Sequence, residues 1–230
     1  MKLTDYTTQV LKNFSGINSN LIFRSGNEVS TISEAKNILS TASLDVNFPS
    51  EFGIYDLNEF LGVLSLVDEP QIKFEEKFAV ISDSTGRSKI KYFFTDVEML
   101  TSPNTTMLSK AMAMNDFEVT FTLDQDTMNK IKRATSALGH TSVAITPSDG
   151  AIALTVFDPE NITSNIFTIE LAGKCPSNEN FNFILNIQNL KILPGDYDVS
   201  LSSKLMAKFT HTEKKVNYWI ALEKTSTYGE

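Results

Sequence analysis

A chain of 230 residues, 41% hydrophobic and 21% charged, is long enough for one large domain or two of ordinary size, and apolar enough for a packed core. Its single cysteine, Cys175, excludes an internal disulfide framework, and with only two histidines, His140 and His211, a four-ligand structural zinc site is short of donors. The net charge of −8 argues against a basic, sequence-reading DNA-binding domain but leaves room for positive charge confined to one surface. No apolar run is long enough to span a bilayer, and the opening MKLTDYTTQVLKNF lacks the continuous apolar core of a signal peptide.

In chain order, Leu3, Tyr6, Val10 and Phe14 fall at helical spacing, with Thr4 or Asp5 as N-cap and Gly16 as stop. NLIFRSGNEVSTIS then predicts strand, Ser-Gly turn, strand, a hairpin. IYDLNEFLGVLSLV begins on a strand end and passes through Asp56 into a second helix. QIKFEEKFAVISDS and SKIKYFF predict further strands. Residues 95–117 show no clear period, and Pro103-Asn104 marks a turn. Beyond them, Met128, Ile131, Thr135 and Leu138 form one helical stripe, ended by Gly139. SVAITPSDGAIALTVFD predicts a hairpin with an Asp-Gly turn. ILNIQNLKIL predicts a fourth helix over 186–193, and DYDVSLSS, LMAKFTHT and VNYWIALE predict strands.

The second half therefore repeats the first: helix, hairpin, strands, helix, strands. Ile54, Asp56 and Leu57 correspond at constant offset to Ile184, Asn186 and Ile187. The expected class is α+β, with two similar domains, 1–94 and 118–230, joined by a linker, 95–117.

The stretches MKLTDYTTQVLKNFSGINSN, FGIYDLNEFLGVLSLV and ENFNFILNIQNLKILPGDYDVSL resemble the sliding clamps of T-even-type bacteriophages, the DNA polymerase processivity factors. The likeness runs through nearly the whole chain in the same order. It implies a homotrimeric ring around duplex DNA, with helices lining the hole and antiparallel sheets outside. It implies as partners an ATP-dependent clamp loader, the phage DNA polymerase through its C-terminal tail, and a late-transcription sigma-like factor and coactivator. The implied setting is the cytoplasm of an infected bacterium, with no membrane and no cofactor.

A sliding ring needs attraction to phosphate without base readout. Lys12 lies roughly 200° from Val10 around its helix, away from the apolar stripe. Arg133 lies similarly opposite Ile131, flanked by Lys130 and Lys132, and Lys191 serves the fourth helix. These five are the candidate DNA-facing residues. The four predicted helices together carry no net charge, against −8 for the chain, although the second holds Asp56 and Glu59 and no base.

For the partner tail, strand alternation in KVNYWIALE puts Val216, Tyr218, Ile220 and Leu222 on the core face and Trp219 outward. Trp219, Ile220, Met107 and Leu108 are the candidate pocket, since aromatic anchors and methionines suit adaptable binding surfaces. Two other classes compete. Asp56, Asp124, Asp126 and Asp158 could form an enzyme's carboxylate site, but Asp124 and Asp126 open a helix, where capping accounts for them, and no P-loop, G-x-S-x-G or H-E-x-x-H is present. A virion structural protein of duplicated β-rich domains is the remaining alternative.

Overall fold

The structure, a computed structural model, describes residues 1–173, 175 and 178–229. The chain divides into two compact units, Met1–Ser109 and Lys110–Glu230.

In the first unit, α1 (Asp5–Ser15) begins at Thr4, whose hydroxyl accepts from the Thr7 amide at 3.1 Å. Thr4 rather than Asp5 is thus the cap. The Thr4 and Thr7 hydroxyls donate to Asp45 at 2.5 and 2.6 Å, and these bonds hold the Asp45 carboxyl below the usual carboxylate range. Val10, Leu11 and Phe14 are fully buried. Then follow β1 (Leu21–Phe23), β2 (Gly26–Ile32), β3 (Ile38–Phe48), β4 (Phe52–Ile54), α2 (Leu57–Ser65), β5 (Gln71–Phe74), β6 (Phe78–Ser82) and β7 (Lys89–Phe93). Phe23 stacks on Phe52 with ring centroids 4.7 Å apart, and Phe52 on Phe94 at 4.5 Å, so aromatic rings tie β1 and β4 to the chain beyond β7.

The predicted Ser-Gly hairpin does not form. β1 pairs with β4, Leu21 opposite Ile54, and β2 pairs instead with β3. Gly26 has φ 108°, which redirects the chain rather than folding it back. Both segments are strands as expected, but their partners are set by burial of Leu21 and Phe23.

Between the predicted domains, residues 97–99 make a 3₁₀ turn and α3 (Thr105–Ala113) a helix. No residue of α3 is buried. A helix that presents no face to a core has no reason to show an apolar period, so no pattern in the sequence marks it.

The second unit contains β8 (Val119–Leu123), α4 (Gln125–Leu138), β9 (Ser142–Ser148), β10 (Ala151–Phe157), β11 (Phe167–Glu170), β12 (Phe181–Asn186), β13 (Tyr197–Ser202), β14 (Met206–His211), β15 (Val216–Ala221) and β16 (Thr227–Tyr228). Here the hairpin does form: β9 and β10 are joined by Asp149-Gly150, both at positive φ (46° and 82°), as a tight hairpin turn requires. Asp124 caps α4, accepting from the Thr127 amide at 2.7 Å and its hydroxyl at 2.9 Å. Gly139 closes the helix left-handed at φ 72°.

The repeat extends to single hydrogen bonds. The Leu57 amide donates to Ser19 O at 2.7 Å in the first unit, and the Ile187 amide to Thr141 O at 2.8 Å in the second. Asp56 caps α2, and Asn186 caps the turn that follows it. That turn corrects the fourth helix: only Ile187–Asn189 is helical, and as one 3₁₀ turn. Pro194 sets only the outer limit of the segment, because it disfavours helical backbone at Leu193; Leu190, Ile192 and Leu193 are buried without forming a helix.

The loop that replaces the helix is locked. Gly195 has φ 144° and its amide donates to the side chain of Gln125 in α4. A Cβ at Gly195 would overlap the His211 ring. His211, 5% exposed, faces Pro194 O with Nε2 at 3.2 Å, and its Nδ1 accepts from the amides of Glu213 and Lys214 at 3.1 and 3.2 Å. Those two acceptor bonds need a neutral ring, and burial lowers the His211 pKa from its ordinary value. The unfolded chain therefore binds a proton more readily, so this stabilisation is complete above about pH 6.5 and drains as pH falls toward the lowered native value. Thermal melts should drop between pH 7.5 and 5.5, His211→Gln should flatten that drop, and the native His211 ring should titrate below the ordinary histidine range by NMR.

Candidate nucleic-acid interface and partner surface

α4 supplies the most basic surface among the proposed DNA-facing residues. Thr127, Met128, Ile131 and Thr135 are its buried stripe. Lys130 and Arg133 are exposed on the opposite side, and with Asp126, Asn129 and Ser136 they line one shallow open groove along the helix. Asp126 serves the first turn, where a carboxylate complements the helix dipole.

Lys132 differs from its neighbours. It lies next to the buried stripe, one turn from Met128, and is half-buried. Burial lowers its pKa from the ordinary lysine value. It lines the same groove as Lys130 and Arg133, but its burial makes it a weaker candidate for phosphate than those two.

In the first unit, Lys12 is exposed and opposite Val10, Leu11 and Phe14. It lines a groove between α1 and α2 with Thr8, Asn58, Gly62 and Ser65. The same groove contains Lys2, which the periodicity of α1 misses because Lys2 precedes the Thr4 cap; its ammonium meets Glu69 at 3.2 Å. The two acidic residues of α2 have local partners. Asp56 accepts from the amides of Asn58 and Glu59 at 2.9 and 3.1 Å, and Glu59 accepts from the Tyr92 hydroxyl at 3.3 Å. Burial, with the Glu59 charge beside it, pushes the Tyr92 pKa up to about 12. Lys191 is exposed, but in the loop after the 3₁₀ turn and not on a helix.

On β15, Val216, Tyr218 and Ile220 are fully buried, as alternation predicts. Trp219 lies on the other face, opposite Lys208 of β14, whose ammonium is 5.6 Å from the ring centroid. It does not face solvent as expected: it is 3% exposed, and its Nε1 is buried without a hydrogen-bond partner. Trp219 and Ile220 thus point to opposite faces of one strand, while Met107 and Leu108 are half-buried on α3.

The architecture is that of the DNA clamps. It matches proliferating cellular nuclear antigen from Entamoeba histolytica with a TM-score of 0.65 at 15% identity over 94% of both chains. It matches the β clamp of H. pylori with a TM-score of 0.68 at 12% identity, spanning 94% of this chain but 63% of that one. Within that class, the family described as DNA polymerase processivity factor matches residues 2–99, and gp45 sliding clamp, C terminal, matches residues 120–224. The sliding clamp of Escherichia phage RB69 is 30% identical over 99% of both chains, and that of Vibrio phage KVP40 29% identical over 97% of this chain and 99% of its own. The chain belongs to the phage sliding-clamp family, whose members are processivity factors and not enzymes.

The different settings of the α4 bases have a measurable consequence. In urea titrations, Lys130→Ala and Arg133→Ala should each change unfolding free energy by no more than about 0.5 kcal/mol. Lys132→Ala should cost more in the same titration, because the packed stem is removed with the charge.

Proposed function

We propose that three copies of this chain close into a ring around duplex DNA and tether the phage DNA polymerase for processive synthesis in the cytoplasm of an infected bacterium. An ATP-dependent loader opens the ring. Lys12, Lys130 and Arg133, with Lys132 and Lys191 in support, face the phosphates without reading bases. The observation that carries this reading is the duplicated clamp fold in which α1 and α4 each bury one stripe and turn basic residues the opposite way. An acidic chain can surround DNA on these terms because several carboxylates near the basic residues are engaged locally: Asp56 and Asp124 cap helices, and Glu59 accepts from Tyr92.

Trp219 is proposed to anchor the C-terminal tail of the polymerase, and of the late-transcription sigma-like factor and coactivator in their turn. Its unpartnered Nε1–H supports this: a buried donor without an acceptor is costly, and an incoming peptide carbonyl would relieve it once the indole is uncovered. The methionines of α3 add apolar surface that adapts to several partners.

Loaded protein should stay on closed circular DNA and leave after linearisation; equal retention on both forms would refute encirclement. In loader-dependent synthesis, replacing Lys12, Lys130 and Arg133 together by alanine should weaken processivity. It should also flatten the log–log salt dependence by roughly 0.9 for each phosphate no longer neutralised, with no change in sequence preference. Trp219→Phe keeps most of the buried ring but removes the donor. It should leave the fold intact and weaken a polymerase tail peptide severalfold by calorimetry, whereas unchanged affinity would remove Trp219 from the site.

A further inference from the structure

Glu69 is out of place on its backbone. It has φ 49°, in the left-handed region, and Pro70 follows it. A left-handed residue is ordinarily glycine or asparagine, and the residue before a proline is ordinarily extended. Glutamate here is therefore costly to the fold, and such an outlier points to a use for its side chain.

That side chain has one ionic contact. The Glu69 carboxylate meets the Lys2 ammonium at 3.2 Å, with side chains 71% and 53% exposed. An exposed ion pair of this kind adds little stability, so stability alone does not account for it. Lys2 lines the groove between α1 and α2 together with Lys12, and Val67 and Pro70, on either side of Asp68-Glu69, line it too. Asp5 is the acidic residue of the same groove, and it serves the first turn of α1.

The floor of the groove is open. Gly62 lies inside α2, and a Cβ added there would meet nothing within 4 Å. Neither packing nor a positive φ calls for glycine at this position, although glycine weakens a helix interior relative to alanine. Thr8 and Ser65 place only small side chains along the same groove. The room is left for a group from outside the chain, and the two lysines favour an anion.

We infer that this groove seats the phosphates of one DNA strand, that Lys2 is a further phosphate contact, and that Glu69 is a tethered counterion which competes with each phosphate for the Lys2 ammonium. This rests on the reading of α1 as a DNA-facing element. The competition suits a protein that must slide. A lone lysine that neutralises a phosphate releases a counterion from the DNA, and that release favours staying put. Lys2 and Glu69 together carry no net charge, so the pair gains little from any one phosphate. When the DNA moves on, the ammonium returns to its own carboxylate. Lys12 supplies steady attraction in the same groove, and Lys2 a contact that is easily given up.

Single-molecule tracking of labelled, loader-assembled protein on end-blocked linear duplex tests the pair through its one-dimensional diffusion. Glu69→Asn removes the carboxylate and installs a residue suited to a left-handed backbone, so its urea midpoint should not fall; Glu69→Gly is a second variant on the same ground. At about 50 mM salt each should diffuse at least twofold more slowly than wild type, because Lys2 then acts as a full charge. At about 300 mM the difference should close, since salt screens exposed charges. Adding Lys2→Ala to Glu69→Asn should restore the faster diffusion. Lys12→Ala is the control for the groove itself and should diffuse faster than wild type. Unchanged diffusion in both Glu69 variants, with Lys12→Ala still faster, would overturn the counterion and leave α1 facing DNA. Slow diffusion that survives the added Lys2→Ala would overturn it as well, because the carboxylate would then act without Lys2. Wild-type diffusion in the Glu69 variants and in Lys12→Ala alike would take the groove away from DNA, and the inference would fall together with the reading of α1.

Discussion

The burial of one stripe of each long helix governs much of what this chain does. Val10, Leu11 and Phe14 of α1, and Met128, Ile131 and Thr135 of α4, are committed to the interior. At 3.6 residues per turn, that commitment fixes what points the other way. Lys12, Lys130 and Arg133 face outward because the positions around them are already spoken for. A basic surface can therefore coexist with a net charge of −8, since charge is distributed by helical phase and not by composition.

The same economy applies to the carboxylates. Asp56 and Asp124 open α2 and α4, the role that the Thr4 hydroxyl takes for α1 and the Asn186 amide for the shortened turn. A carboxylate engaged with backbone amides at a helix start has part of its charge satisfied locally. Glu59 on α2 is likewise engaged, through the Tyr92 hydroxyl. The acidic residues that look out of place on a helix proposed to face DNA are parts of its scaffold: Asp56 caps α2, and Glu59 holds Tyr92.

Much of this is legible in the sequence where a periodic pattern or a cap enforces it. The stripes of α1 and α4, the Asp149-Gly150 hairpin and the strands near the C-terminus follow from local residues. What escapes depends on distant partners. Nothing local in LIFRSGNEV says that β1 belongs with β4, and Trp219 reads as outward by alternation because alternation is blind to what lies above a sheet. The fourth helix is read from an Ile/Leu pattern, yet only the single turn Ile187–Asn189 forms, and Leu190, Ile192 and Leu193 are buried from a loop instead. Lys2 escapes because it precedes the helix whose phase identifies Lys12.

α3 stands apart from these elements. It is nine residues long with no buried side chain, and helices of that length are marginal in water on local propensity alone. Its amides should exchange with solvent at a low opening free energy compared with those of α1 or α4. The division between the two units falls inside it, so a protease that cleaves there would nick the chain at its covalent seam without first opening either core. The same freedom makes α3 a place where sequence can drift, letting a lineage of clamps retune an exposed surface while the packing that holds each half is left alone.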